Sequence, residues 1–186
     1  MQASSRNSLR LAVLLQQRRD HPFRDHWALP GGFVGVEESL AAAARRVLAT
    51  KAGVEDAYVE QLHAFGAPDR DPRMRIITIA FFALLPAQKL AAALASRDDL
   101  RIAALEIPWR GEAGGPVAAA GRNGEALPLA FDHAEILGHA VKRLRGKLDD
   151  SAIAFALLPP LFTLRDLQAI HEAILGATLN KPAFRR

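Results

Sequence analysis

The stretch Trp27-Ala28-Leu29-Pro30-Gly31-Gly32-Phe33-Val34, followed by Glu38, Arg46 and Gly53-Val54, decides how the chain is read. It predicts a strand that ends at a Pro-Gly-Gly turn, then an alanine-rich helix. Two adjacent glycines let the backbone take positive φ and come close to a ligand. The helix behind the turn offers free N–H groups and the positive end of its dipole, which suits a phosphate. Leu40, Ala44, Val47 and Leu48 would face inward along it. Core packing accounts for those residues, but not for a Trp-x-x-Pro-Gly-Gly-Phe turn ahead of them.

Five residues separate Gly32 from Glu38, seven separate Glu38 from Arg46, and Gly53-Val54 closes the pattern. This spacing resembles the Nudix box. The resemblance implies an α/β fold, a Nudix α/β/α sandwich with a mixed sheet between helices, over residues 1–150. It also implies a catalytic Mg²⁺ held by three later glutamates, and here this chain departs from the family. Those positions carry Val47, Thr50 and Lys51, which share one helix face. Magnesium wants carboxylate oxygens in near-octahedral order. A valine, a threonine and an ammonium group do not supply them. No catalytic set, no metal site and no cofactor is therefore expected, although Gly32, Glu38 and Arg46 remain at family positions.

Length and composition set outer bounds. A chain of 186 residues, 50% apolar and 24% charged, forms one sizeable domain or a domain with a small appendage. It has no cysteine, so neither a disulfide nor a thiolate metal site is available. No apolar run of about 18 residues exists, and the N-terminus lacks the apolar segment of a signal peptide. A cytoplasmic location and no membrane partner are expected. The net charge of +4 permits nucleic-acid or phosphorylated ligands without demanding them.

Leu9 to Gln16 reads as a buried strand. Arg18 ahead of Pro22-Phe23 is similar to Nudix proteins that handle ADP-ribose. That family usually has another strand before Leu9, where this chain offers eight mostly polar residues. Tyr58 to Phe65 and Met74 to Leu85 read as strands, joined by the turn-rich loop Gly66 to Arg73. Two readings of that loop stay open. Arg70 and Arg73 either clamp phosphates, since a guanidinium matches a phosphate bidentately, or pair with Asp71 and fix the loop. Ala87 to Ala95 reads as a weak helix, Ile102 to Trp109 as a strand, and Arg110 to Ala126 as a hairpin or mobile loop. Asp132 with Glu135 forms a capping-box pattern for a helix to about Leu148, with Ile136, Leu137, Ala140 and Leu144 inside. Lys142, Arg143, Arg145 and Lys147 read as its solvated end, and His133 as a polar residue near the cap rather than a metal ligand.

Asp149 to Ser151 reads as a boundary and Pro159-Pro160 as a second break. Thr163 and Asp166 predict a capped helix, with Phe162 stapled onto Leu167 and with Leu164, Leu167, Ile170 and Ile174 inside. Gly176 ends it, and Asn180 caps another helix at Lys181-Pro182. Leu129-Ala130-Phe131-Asp132-His133, Leu157-Leu158-Pro159, Phe162-Thr163-Leu164, Glu172-Ala173-Ile174-Leu175-Gly176 and Phe184-Arg185-Arg186 resemble the C-terminal half of the Nudix-related transcriptional regulators of NAD metabolism. The resemblance implies a partial winged helix-turn-helix over residues 151–186. It further implies a homodimeric repressor of NAD-metabolism genes that releases DNA when ADP-ribose or a related nucleotide binds. Chain end Arg186 falls about one turn into the family's recognition helix, which fits either a truncated chain or weakened DNA binding.

The expected ligand site is Arg18, Pro30, Gly31, Gly32, Phe33, Lys51, Arg70 and Arg73, with Lys51 facing a diphosphate where the metal would have been. The expected DNA contacts are Thr163, Arg165, Lys181, Arg185 and Arg186. The alternative is a Mg²⁺-dependent Nudix hydrolase of ADP-ribose or another nucleoside diphosphate derivative, with replacement carboxylates among Glu37, Glu38, Glu55, Asp98, Asp99 and Glu106. A third reading is a remnant that binds neither ligand nor DNA tightly.

Overall fold

The computed structural model describes residues 9–55, 57–85, 87–148, 152–158 and 161–184. The expected boundary at Asp149 to Ser151 and the break at Pro159-Pro160 lie outside them, as does the segment ahead of Leu9. Among the described residues the strands run as β1 (Ala12–Gln17), β2 (Trp27–Ala28), β3 (Glu60–Phe65), β4 (Thr78–Phe82), β5 (Leu100–Glu106), β6 (Ala118–Ala120) and β7 (Ala126–Leu127). The helices are α1 (Leu40–Ala52), α2 (Ala91–Ser96), α3 (His133–Gly146), α4 (Leu164–Leu175) and α5 (Lys181–Phe184). One sheet has the order β2-β1-β5-β6-β7 and a second pairs β3 with β4. The ladders are antiparallel, and β1 meets β5 from Ala12↔Ala104 to Gln16↔Leu100. The parallel element is a bridge between Trp27 and Leu129.

Alternation along β1 and β5 explains the layering, because successive side chains leave a strand on opposite faces. Leu15 and Ala103 join Trp27, Ala119 and Leu127 on one face. Leu14 and Ile102 pack on the other with Leu48 and Ala52 of α1 and with Leu90. On α1 the buried residues are Ala43 and Ala52, while Leu40, expected inside, is exposed at the first turn. The Met74 to Leu85 segment narrows to Thr78–Phe82, and Met74 and Ile77 are exposed. Arg110 to Ala126 is mostly a long loop entering β6, and its C-terminal part turns through Gly121 into β7.

Two glycines act by space rather than by φ. Neither Gly31 nor Gly32 takes a positive φ, contrary to expectation. A Cβ on Gly32 would stand 2.9 Å from Val47 Cγ2, so the turn packs directly on α1. A Cβ on Gly138 would overlap the Gly115 carbonyl oxygen, which lets the loop before β6 cross α3 at backbone contact.

The tail docks on the body of the molecule. Leu144 and Leu148 pack with Ala154, Ile170 and Ile174, and with Leu11 and Phe82 from the strands. Thr163 caps α4 reciprocally with Asp166, and Gly176 ends it at φ 67°. Phe162, expected to staple onto Leu167, has its ring 5.6 Å from that of Phe155, and Leu164, expected inside, is exposed. Gln168 takes an inner place instead. It donates to Leu179 O at 3.2 Å and to Glu172 Oε1 at 2.9 Å, and Glu172 Oε1 accepts the Leu179 N–H at 2.9 Å. These bonds set the turn between α4 and α5.

Arg145 is the largest correction. Read as part of a solvated helix end, it is buried. Its Nε donates to Ile174 O at 2.8 Å, and its Nη1 to Gly111 O at 2.8 Å and Trp109 O at 3.3 Å. The guanidinium lies 4.7 Å from the Trp109 ring centroid. Burial lowers its pKa. Arg145→Met would strand these carbonyls in an apolar setting and should cost about 2–4 kcal/mol of urea-unfolding stability. The exposed neighbour Arg143, 3.6 Å from Glu60, should lose no more than about 1 kcal/mol as Arg143→Met.

Candidate ligand site and helix-turn-helix

The Gly32–Glu38–Arg46 frame is a loop clamp. Glu38 Oε1 accepts the Gly35 N–H at 2.7 Å, and Arg46 Nε donates to Glu38 Oε2 at 3.0 Å. Arg46 Nη2 pairs with Glu38 Oε1 and donates to Phe33 O at 2.9 Å. The Arg46 guanidinium and then the Gly35 N–H hold the Glu38 carboxyl at a pKa of about 2. Phe33, 83% exposed, and Val36, 98% exposed, ride on this loop. Ser39 caps α1 through Ala42 N–H, so the free helix end lies at Ser39 rather than at the Gly-Gly turn.

The face that holds Mg²⁺ in active relatives does not fit that ion here. Val47 packs its methyl against Gly32. The Thr50 hydroxyl donates back to Arg46 O at 2.9 Å within its own helix. Lys51 contributes a cation where carboxylates would be needed. Of the replacement carboxylates, Glu38 is held by Arg46 and Asp99 by Arg97 and Gln16. Among the described residues no group of three or more His, Cys, Asp or Glu could hold a metal ion.

Of the three expected arginines, Arg18 and Arg73 lie against Phe131, while Arg70 binds the next residue, Asp132. Arg70 is spent inside the molecule. Its Nε and Nη2 donate to Asp132 at 2.8 and 2.7 Å, and its Nη1 to Thr78 Oγ1 at 2.7 Å. With its side chain 6% exposed it has no hydrogen-bonding edge left for a phosphate. This corrects the clamp reading for Arg70, and it also explains why Asp132 makes no side-chain cap on α3. Asp71 pairs with Arg73, which donates from Nε at 3.0 Å and Nη2 at 2.7 Å. That pairing, more than the backbone N–H of Arg73, holds the Asp71 carboxyl at a pKa of about 2.

Arg18 and Arg73 flank the Phe131 ring at 4.7 and 5.8 Å from its centroid. Arg18 donates from Nε to Pro22 O at 2.9 Å and from Nη2 to Asp20 O at 3.4 Å. Phe23 adds an edge contact to Phe131 at 4.8 Å. His133 Nδ1 accepts the Leu29 N–H at 3.0 Å, which ties the start of α3 to the residue before Pro30. Phe131 and Phe23 were absent from the expected set. Their signal was the Pro22-Phe23 and Ala130-Phe131-Asp132-His133 motifs themselves. Lys51 lies one turn along α1 from Val47, and its backbone carbonyl accepts from Arg97 Nη1 at 3.0 Å.

In the tail, the Thr163 hydroxyl is committed to the α4 cap, accepting from Asp166 N–H at 3.2 Å. Arg165 is exposed on the first turn. Lys181 opens α5, while Arg185 and Arg186 lie outside the described residues.

A sandwich closed by this loop–helix frame defines an α/β domain with a helical appendage. Residues 5–109 match the NUDIX domain model, and the chain belongs to the Nudix family. Residues 154–186 match the NrtR DNA-binding winged helix domain. The chain is 38% identical over 178 residues to the ADPR responsive transcriptional repressor NtrR of Acinetobacter baylyi, covering 95% of this chain and 65% of that protein. It thus spans about two-thirds of that relative's length. Shewanella oneidensis NrtR complexed with a 27mer DNA superimposes with TM-score 0.72 at 36% identity, over 95% of this chain and 74% of that one. The NUDIX domain of the same Shewanella protein complexed with ADP ribose gives TM-score 0.52 at 32% identity, over 73% and 79%. Among the described residues no helix is long and apolar enough to cross a membrane.

His133 gives the site a pH signature. Burial, opposed by Asp132 and reinforced by Arg70 and Arg18, lowers its pKa from 6.5 to about 4. The unfolded chain therefore binds the proton first, and stability is full above pH 6.5 and falls as pH drops toward 4. The expected loss is about 3 kcal/mol between pH 7 and 4. Asp71 loses its contribution only at lower pH, toward about 2. Urea unfolding across this range should therefore show a slope that His133→Gln flattens.

Proposed function

We propose that the chain is a ligand-responsive transcriptional repressor whose Nudix domain binds ADP-ribose, or a closely related nucleotide, without splitting it. The observation that carries this reading is the metal face. Val47, Thr50 and Lys51 replace the carboxylates, while Glu38 and Arg46 still brace the loop. A domain that keeps the ligand frame and loses the metal's charge stabilisation, worth several kcal/mol, is suited to hold a diphosphate intact. The likeness to the Acinetobacter repressor and to Shewanella NrtR supports the same assignment.

Residues 1–150 act as the sensor and residues 151–186 as the DNA-binding module, in a cytoplasmic homodimer that controls genes of NAD metabolism. Arg165, Lys181, Arg185 and Arg186 supply phosphate contacts that position the module, since such contacts carry no sequence information directly. In the sensor, Arg18, Arg73 and Lys51 face the ligand beside the Pro30-Gly31-Gly32 turn and Phe33. Ligand binding releases DNA.

A phosphorus NMR spectrum of ADP-ribose with stoichiometric protein and excess Mg²⁺, followed over hours, tests the reading. The diphosphate resonances should shift or broaden and stay intact. Conversion into two monophosphate signals would make the chain a hydrolase. A second expectation concerns Lys51, whose ammonium takes the place of the metal. Calorimetric affinity for ADP-ribose should be indifferent to EDTA and should fall several-fold, about 1 kcal/mol, in Lys51→Ala. Equal affinity in that variant would remove Lys51 from the site.

A further inference from the structure

Gly121-Arg122-Asn123-Gly124-Glu125 turns the chain from β6 into β7, and it holds an Asn-Gly pair. The Gly121 N–H donates to Glu125 O at 2.8 Å, and the Gly124 N–H to Gly121 O at 3.0 Å. Gly124 takes φ 81°, which a residue with a side chain adopts only under strain. The shape of the turn selects glycine after asparagine. It also brings together two groups that react with each other.

Asn123 and Gly124 are both exposed. The Asn123 backbone N–H is held by Glu125 Oε2 at 3.1 Å, while its side-chain amide has no hydrogen-bond partner among the described residues. Even a Cβ on Gly124 would meet nothing within 4 Å, so the nitrogen that follows the asparagine is unshielded. What restrains it is the hydrogen bond to Gly121 O.

We infer that Asn123 is a site of spontaneous modification, in which the Gly124 backbone nitrogen attacks the Asn123 side-chain amide carbon. A bond forms between the Gly124 nitrogen and Cγ, and the bond between Cγ and the amide nitrogen breaks. Ammonia leaves, and the proton given up by the Gly124 nitrogen balances the one it carries away. Water then adds to either carbonyl of the imide ring and opens it, leaving an aspartyl or an isoaspartyl residue. The reaction needs water alone, and neither ligand nor DNA. Either product sets a new carboxylate beside Glu125, whose Oε1 accepts from Arg101 Nη1 at 3.0 Å. Arg101 in turn rests 5.0 Å from the Trp27 ring centroid, which ties the turn to β2. The isoaspartyl product also adds a carbon to the backbone inside the turn, so the hydrogen bonds that close it no longer fit together.

The test is peptide mapping by mass spectrometry of the full chain aged in mildly alkaline buffer, both folded and in urea. Isoaspartyl content is read with a protein isoaspartate methyltransferase. Asn123 should convert ahead of Asn180, whose neighbour Lys181 carries a side chain, and isoaspartyl product should be present. Folded chain should convert about fivefold more slowly than chain in urea, the factor imposed by opening one hydrogen bond worth about 1 kcal/mol. Ageing should lower the urea midpoint of wild-type protein and leave that of Asn123→Gln unchanged, since glutamine closes its larger ring slowly. Folded protein whose Asn123 stays intact over the time that converts it fully in urea overturns the inference. So does conversion to the aspartyl product alone, which is direct hydrolysis, and so does ageing that lowers both midpoints equally.

Discussion

The buried guanidinium of Arg145 is the constraint on which the arrangement of the two modules depends. Removing such a charge from water costs several kcal/mol unless polar groups replace its hydration. Here carbonyl dipoles and an indole face replace it: Gly111 and Trp109 from the loop before β6, and Ile174 near the end of α4. The Ile174 carbonyl belongs to the negative end of a helix dipole, which favours a cation. A Cβ on Gly176 would stand 3.1 Å from Arg145 Nη2, so the residue that ends α4 also makes room for the guanidinium. Two segments distant in sequence converge on one side chain of α3.

That places α3 between the Pro-Gly-Gly turn and the tail. Its 14 residues span about 21 Å. Its first turn carries His133, bonded to the residue before the Pro-Gly-Gly turn, and its N-cap Asp132 follows directly on Phe131. Its last turn carries Arg145 and the Leu144 contact with the tail. A single rigid helix therefore joins the arginine–aromatic cluster to the helix-turn-helix. A ligand that moves the start of α3 has a physical route to α4.

The reading from sequence held at several places where the determining partner lay within a few residues. The strand–turn–helix frame, the Thr163–Asp166 cap and the Gly176 stop all rest on spacings of that kind. It went astray where partners lay far apart. Asp132 has the neighbours of a capping residue, but Arg70, 62 positions away, takes its carboxylate. Arg145 sits in a run of cations that resembles a solvated helix end, and only its meeting with Trp109, Gly111 and Ile174 marks it as buried. Periodicity also misplaced Leu40 and Leu164, both at first turns where the apolar stripe runs out past the neighbouring layer. The aromatic pair was overlooked because positive φ at Phe23 and Phe131 has no signature in composition.

The division between what the box keeps and what it loses follows the same physical logic. Glu38 and Arg46 hold a loop through carboxylate, carbonyl and amide contacts that need no metal. Gly32 is required because α1 passes within van der Waals reach, and Val47 makes that contact. Substituting any of these would disturb the fold near the ligand. The positions filled by Thr50 and Lys51 carry no comparable burden. The Thr50 hydroxyl satisfies itself on its own helix, and the Lys51 backbone carbonyl accepts from Arg97. Metal ligands can therefore be exchanged on this face while the cradle beside it stands unchanged. A Nudix scaffold can lose the carboxylates that hold Mg²⁺ and still keep a shaped site. What remains is a set of cations and aromatic rings held by ion pairs and backbone carbonyls rather than by a metal ion.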